Sequence, residues 1–346
     1  MQNSAVNPRS SDEFDVILIA RALLRRAWVI IGITAIAGIL GLLYVVLSER
    51  VYEARGYLVP PTQSDIADLN TGRTKEFELS PYSIDDVYRI FLRNLRSEAL
   101  RQEFFANEYL PSLSQDQQAR SRDALYAEFV RRVQINPTTS DEAGRYSVVV
   151  QTNSGDKAVD WIKKYVKRAE TRATEEIMKN VSYEARVHAK NVAQEIDTKR
   201  ETGQTEREDA LVKLRAALSV AESSGVQKPT MVFGSSSSAL AGNMEGDMSF
   251  LRGAEALKAE IKNLELRSSN DAFIKELREL QAKKNFFDKL ATADREIGMY
   301  RYDGLVDAPE NAIKPKASLV IGLALVLGAM LGLLTAFMLY RLEESR

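Results

Sequence analysis

Residues 27–47 read AWVIIGITAIAGILGLLYVVL and residues 318–340 read SLVIGLALVLGAMLGLLTAFMLY, and neither stretch holds a charged residue. Twenty-one residues of helix cover roughly 31 Å at about 1.5 Å per residue, which matches a bilayer core of about 30 Å. The first run contains twelve Leu, Ile and Val. At about −0.3 to −0.6 kcal/mol each, they give a gross insertion term of roughly −4 to −7 kcal/mol, opposed by no charge. Two uncharged runs of this length in one chain read as two transmembrane helices rather than as core helices of a soluble domain. The first is also too long for a signal h-region of about 7 to 15 residues. No small-x-small cleavage site follows Leu47, so the reading is an uncleaved anchor.

Arg21, Arg25 and Arg26 precede the first run, and Arg50 and Arg55 follow it. This bias places the N-terminus in the cytoplasm, two spans return the C-terminus there, and the long segment between them lies outside the cytoplasm. The averages over all 346 residues hide this organisation: hydrophobic residues make 45%, charged residues 27%, and the net charge is −1. Balanced charge gives no basic nucleic-acid surface. With no cysteine and His188 as the one histidine, disulfides, zinc knuckles and most histidine relays are excluded.

The pattern divides the chain into successive segments. Residues 1–26 are a cytoplasmic segment in which Ser10 and Glu13 make a capping box, with Asp12 and Asp15 in the first turn, and an interfacial helix runs on into the first span, 27–47. Residues 48–155 form a membrane-proximal α/β base. VYEARGYLV (51–59) alternates as a strand ended by Pro60-Pro61. Val87, Ile90, Phe91, Leu95 and Leu100 mark amphipathic helices, another helix follows Leu113, and 131–136 pairs with 146–152 across PTTSDEAG. Residues 156–298 form a long, coiled-coil-like helical hairpin. Its first arm carries a drifting stripe from Ile162 through Val166, Ala169, Ala173, Ile177 and Val181 to Ile196, with a bend expected at Gly203. A tip loop at 223–249 includes Met231, Phe233 and Met244, and a second helix runs from Phe250 to about Ile297. Residues 299–317 hold a return strand, 300–306, and a linker with Pro309 and Pro315. The second span, 318–340, and a tail, 341–346, complete the chain. The fold class is thus an α+β membrane protein: two transmembrane helices flanking an α/β base with an extended helical hairpin.

This order resembles the polysaccharide co-polymerases, the Wzz-type chain-length determinant proteins. The likeness rests on EFDVILIARALLRRAWVII leading into the first span, the strand straight after it, and PENAIKPKASLVIG before a glycine-rich second span. The proline run ahead of the second span is sparser than usual for such proteins. The resemblance implies a two-pass protein of the Gram-negative inner membrane, with both termini cytoplasmic and the bulk periplasmic. It implies closed, octameric homo-oligomers that work with an O-antigen polymerase on an undecaprenyl-diphosphate-linked glycan of lipopolysaccharide biosynthesis and set its modal length.

Small residues supply the candidate helix contacts: Gly322, Gly328 and Gly332 in the second span, Gly32, Gly38 and Gly41 in the first. They would admit a polymerase helix or a neighbouring subunit. His188 reads as a solvated surface histidine, and Lys163, Lys164, Lys167, Arg168 and Arg172 as a solvated basic face. For catalysis the sequence offers little. No glycine is followed by lysine, so the phosphate cradle G-x-x-x-x-G-K-[ST] is absent, and only RLEESR follows the second span. Scattered Asp and Glu are too common to mark a glycosidase. No enzyme, cofactor, metal or nucleic-acid role is expected. Two alternatives stay open: a capsule or exopolysaccharide co-polymerase served by a separate tyrosine kinase chain, and a periplasmic adaptor of an export system.

Overall fold

The computed structural model describes residues 25–138, 144–229 and 248–344. In chain order its elements are α1 (Ala27–Leu47), β1 (Tyr52–Val59), α2 (Ile84–Leu95), α3 (Glu98–Phe104), α4 (Gln115–Gln118), α5 (Arg122–Arg132), β2 (Val133–Pro137), β3 (Tyr146–Thr152), α6 (Gly155–Ser223), α7 (Ala254–Leu266), α8 (Leu277–Thr292), β4 (Arg301–Tyr302) and α9 (Ala317–Glu344). Among the described residues they fall into two compact units, one of residues 25–66, 83–138, 144–173 and 298–344, the other of 67–82, 174–229 and 248–297. The expected helix at Ser10 lies outside the described residues.

In the first unit the strands form one antiparallel sheet in the order β2-β3-β1-β4, with Tyr52 opposite Thr152 and Leu58 opposite Tyr146. Alternation along β1 buries Ala54, Gly56 and Leu58, and Val148 and Val150 are buried beside them on β3. The start of α6 covers this face. A Cβ on Gly56 would stand 3.0 Å from the Ile162 side chain, so the glycine sets how closely helix and sheet approach. Ser83 and Asp86 close a reciprocal cap at the start of α2, which holds Phe91 for its stack on Tyr300, 4.8 Å between ring centres. A second aromatic group surrounds Phe104, whose ring lies 5.2 Å from Tyr165 and 5.7 Å from Trp161. The expected return strand at 300–306 shrinks to the two residues of β4. Gly304 at φ +91° turns the chain away from the sheet directly after it.

The second unit is built on the distal part of α6. One cluster joins Ala185, Ala189, Val192 and Ile196 to Leu277, Phe287 and Leu290, and another joins Leu214, Ala217 and Ala221 to Ala254, Leu257 and Ile261. Helix α6 runs 69 residues without interruption, roughly 100 Å of helix. Gly203 does not break it. The glycine instead makes room for Ile274, whose side chain would lie 2.9 Å from an added Cβ. The break falls on the opposite arm, where one helix over 250–297 was expected and α7 and α8 form. Ser269 holds the intervening backbone by a local bond and Asn270 by one to the other arm: the Asp271 N–H donates to Ser269 Oγ at 3.2 Å, and Asn270 Nδ2 donates to the Gly203 carbonyl on α6 at 3.2 Å. Such short polar side chains compete with helical hydrogen bonding. Glu276, left-handed at φ 66°, precedes α8.

Candidate functional site

Helices α1 and α9 pack along a seam of small residues. A Cβ on Gly41 would lie 2.8 Å from Ala324 Cβ, and one on Gly38 3.0 Å from the Leu325 side chain. Further along, a Cβ on Gly328 would lie 2.6 Å from Ala37 Cβ and 3.0 Å from Thr34 Cα, and one on Gly332 2.9 Å from Ile30 Cα. Gly322 and Gly32 face open space. Of the glycines expected to admit a polymerase helix or a neighbouring subunit, Gly328, Gly332, Gly38 and Gly41 therefore face the chain's own other apolar helix. Both threonine hydroxyls are satisfied within their helices: Thr34 Oγ1 donates to the Ile30 carbonyl at 2.7 Å and Thr335 Oγ1 to the Leu331 carbonyl at 2.5 Å. The opposite faces carry exposed apolar side chains, among them Trp28, Ile36, Leu323 and Leu334. Buried backbone polarity is met internally and the outside is apolar, which is the arrangement hydrocarbon requires.

The proline-containing linker ties this pair to the sheet. Val51 N–H donates to the Lys314 carbonyl at 3.1 Å, and Ile313 N–H to the Val51 carbonyl at 2.7 Å. Pro309 packs on Gly155, its carbonyl oxygen 3.0 Å from where a Cβ would stand. Pro315 lines a cavity of about 680 Å³ with Tyr44, Lys314 and Lys316. Glu53 lies in the same wall. Burial pushes its carboxyl up, but hydrogen bonds from Arg55 and Gln151 outweigh this and hold it below the usual range. Met231, Phe233 and Met244 of the expected tip loop lie outside the described residues.

Two surface readings change. The basic residues at the start of α6 are not simply solvated, since Arg168 Nη2 reaches Glu108 at 2.5 Å and Arg172 Nη2 reaches Glu103 at 2.5 Å. Their spacing signalled a charged face, whereas their acidic partners sit some sixty residues earlier, beyond what helical periodicity records. His188 stacks on Phe287 with 4.9 Å between ring centres and is half-buried. Among the described residues no three histidine or carboxylate side chains gather as a metal site.

Residues 12–108 match the family model of the Wzz chain length determinant proteins. A chain length determinant protein of Escherichia coli is 20% identical over 337 residues, 96% of this chain and 94% of that protein. The structure of a full-length bacterial polysaccharide co-polymerase superposes with a TM-score of 0.68 at 18% identity, covering 94% of this chain and 97% of the other. The wild-type lipopolysaccharide O-antigen chain-length regulator of Shigella flexneri superposes at 0.55 and 18%, covering 77% of this chain and all of that one. Family model, relatives and solved structures agree in what the chain is similar to: the Wzz-type chain length determinant proteins, with the fold of the polysaccharide co-polymerases.

Proposed function

We propose that the chain is a two-pass scaffold of the Gram-negative inner membrane that sets the modal length of O-antigen made by a polymerase on an undecaprenyl-diphosphate carrier, without transferring sugar itself. Its likeness to the O-antigen chain-length regulator of Shigella flexneri, over the whole of that chain, carries the reading. The apolar faces of α1 and α9 support the membrane placement. Arg21, Arg25 and Arg26 support cytoplasmic termini, with the segment between the spans in the periplasm.

The scaffold acts as a closed homo-oligomer. Along α6, Tyr183, Val187 and Val212 are each more than half exposed, apolar surface that a second copy would cover. A relative with this fold is a Wzz dodecamer, at TM-score 0.50 and 14% identity, so light scattering on the full-length protein must decide between eight copies, as the resemblance implied, and another number. The deciding experiment for function is a gel ladder of surface polysaccharide with and without the gene. Deletion is expected to leave the polymer but erase its preferred length. Loss of all polymer would overturn the proposal, and reporter fusions at both ends test the topology.

A further inference from the structure

The cavity of about 680 Å³ at the junction of the apolar helices and the sheet has a lining of mixed character. The helix ends contribute Tyr44 and Leu319, and the chain beyond them contributes Glu49, Glu53, Lys314 and Lys316. Its volume falls among those of small-molecule sites, about 300–1,000 Å³. The apolar wall continues down both helices: Leu40 lies one turn from Tyr44 and Leu323 one turn from Leu319, on the same helix faces, and both are more than half exposed. Apolar helix faces thus lead directly into a cavity rimmed by charge.

The charges are unevenly used. Glu53 is taken on both oxygens, by Arg55 Nη2 at 2.6 Å and by Gln151 Nε2 at 2.7 Å. Lys314 feels that carboxylate through space without closing an ion pair on it. Among the described residues Glu49 and Lys316 have no ion-pair partner either, although both line this one cavity. A lysine reaching toward a polar interface accounts for the cations alone. It does not account for a carboxylate held in the same cavity without meeting them. Opposite charges that share a cavity and stay apart leave room for a group that carries both signs.

We propose that this cavity seats the headgroup of a phosphoethanolamine lipid, its phosphate between Lys314 and Lys316, its ammonium on Glu49 and its acyl chains along Leu40 and Leu323. The charges choose among headgroups. A primary ammonium carries three donors for a carboxylate, and a trimethylated choline carries none. A phosphoglycerol headgroup would bring the anion alone and leave Glu49 unanswered beside it. The site rests on the membrane placement proposed above and is independent of which glycan the chain regulates.

The test offers the full-length protein in detergent an equimolar mixture of phosphatidylethanolamine, phosphatidylcholine and phosphatidylglycerol with matched acyl chains, and counts retained lipid by native mass spectrometry. Phosphatidylethanolamine should be retained about fivefold over the other two, the worth of one exposed ion pair. Glu49→Gln should bring it down to the phosphatidylcholine level without lowering phosphatidylglycerol. Lys314→Gln with Lys316→Gln should lower retention of all three, and Lys316→Arg should restore it. Circular dichroism on each variant separates lost binding from lost fold. Equal retention of the three headgroups by wild type, or a preference for phosphatidylethanolamine that survives in folded Glu49→Gln, overturns the proposal. Flotation with pure phosphatidylcholine liposomes tests the membrane placement separately: if the site alone is wrong, wild type and Glu49→Gln both float, and if the placement is wrong, neither does.

Discussion

Gly328→Ala and Gly322→Ala make the same chemical change six residues apart on one helix and should have opposite effects. A methyl on Gly328 would stand 2.6 Å from Ala37 Cβ and 3.0 Å from Thr34 Cα. Ordinary contact begins near 3.4 Å, so α1 has to recede by about 0.8 Å. A Cβ and a Cα cannot rotate out of the way, which leaves the helix itself to move. Overpacking of this kind costs about 1–3 kcal/mol, while replacing a helical glycine by alanine returns at most about 1 kcal/mol. The net expectation is about 0–2 kcal/mol of destabilisation, up to a factor of roughly 30 in the folded ratio. Gly322 has no atom within 4 Å of its added Cβ, so its alanine variant keeps the propensity gain and is neutral to slightly stabilised. Equilibrium unfolding of the full-length protein in mixed micelles, with Trp28 on α1 as the fluorescent reporter, measures both. Equal midpoints for the two variants, or a more stable Gly328→Ala, would refute close packing of α1 on α9 at this position.

Under the proposed function, Gly328→Leu with Gly332→Leu should disturb modal length more than replacing residues 234–242 with a short Gly/Ser linker. A silent glycine pair beside a shifted ladder for the linker would move control to the tip. Phe104→Ala removes a fully buried ring packed on Phe129, Trp161 and Tyr165, and denaturant unfolding should show a loss of about 3–5 kcal/mol. Gly253 sits at φ +84° with Lys228 backbone 2.6 Å from an added Cβ, so Gly253→Ala should speed limited proteolysis near residue 253, whereas Gly225→Ala, at φ +72° but with open space around it, adds backbone strain without the clash and should change cleavage less. Glu128 is pushed up by burial, but Arg120 and Arg132 bring it below its ordinary 4.5. A lowered folded-state pKa stabilises above the unfolded value and is lost as pH falls through the folded one. Glu128→Gln should therefore melt below wild type at neutral pH, and the gap should close as pH drops under 4.5.

What could be read from the sequence follows the range of the interaction involved. The two apolar helices are stated by composition alone, since hydrocarbon tolerates no charge over about 30 Å, and the period of Ile162 to Ile196 gave the first arm of α6 because one helix face is buried throughout, by the sheet at Ile162 and by α8 at Ala185 to Ile196. The second arm has an equally good stripe, yet it breaks at 267–276. There the decisive groups are the partners of Asn270 and Asp271 on α6, about 70 residues away: Arg200 reaches Asp271 at 2.7 Å, and the Gly203 carbonyl accepts from Asn270. Gly203 itself shows the same limit. A glycine in a polar helical run signals either a bend or a close approach, and only Ile274 on the other arm settles which.

The glycines of α1 and α9 carry that ambiguity into function. Their spacing announces that another helix comes near, because only a missing side chain lets backbones approach so closely, but spacing says nothing of whose helix it is. In the folded chain Gly328 and Gly332 are filled by Thr34, Ala37 and Ile30. Under the proposed function, a polymerase or a second copy would therefore meet the outer faces, where Ile36, Leu323 and Leu334 are exposed, or the open strip at Gly322. Substitutions at Gly328 would reach such a partner through the tilt they impose on α1, while substitutions at Gly322 would touch it directly. A large residue at Gly322 that shifts modal length with no change in unfolding midpoint would assign the partner to that strip. A shift that appears only together with lost stability would assign it to the geometry of the helix pair.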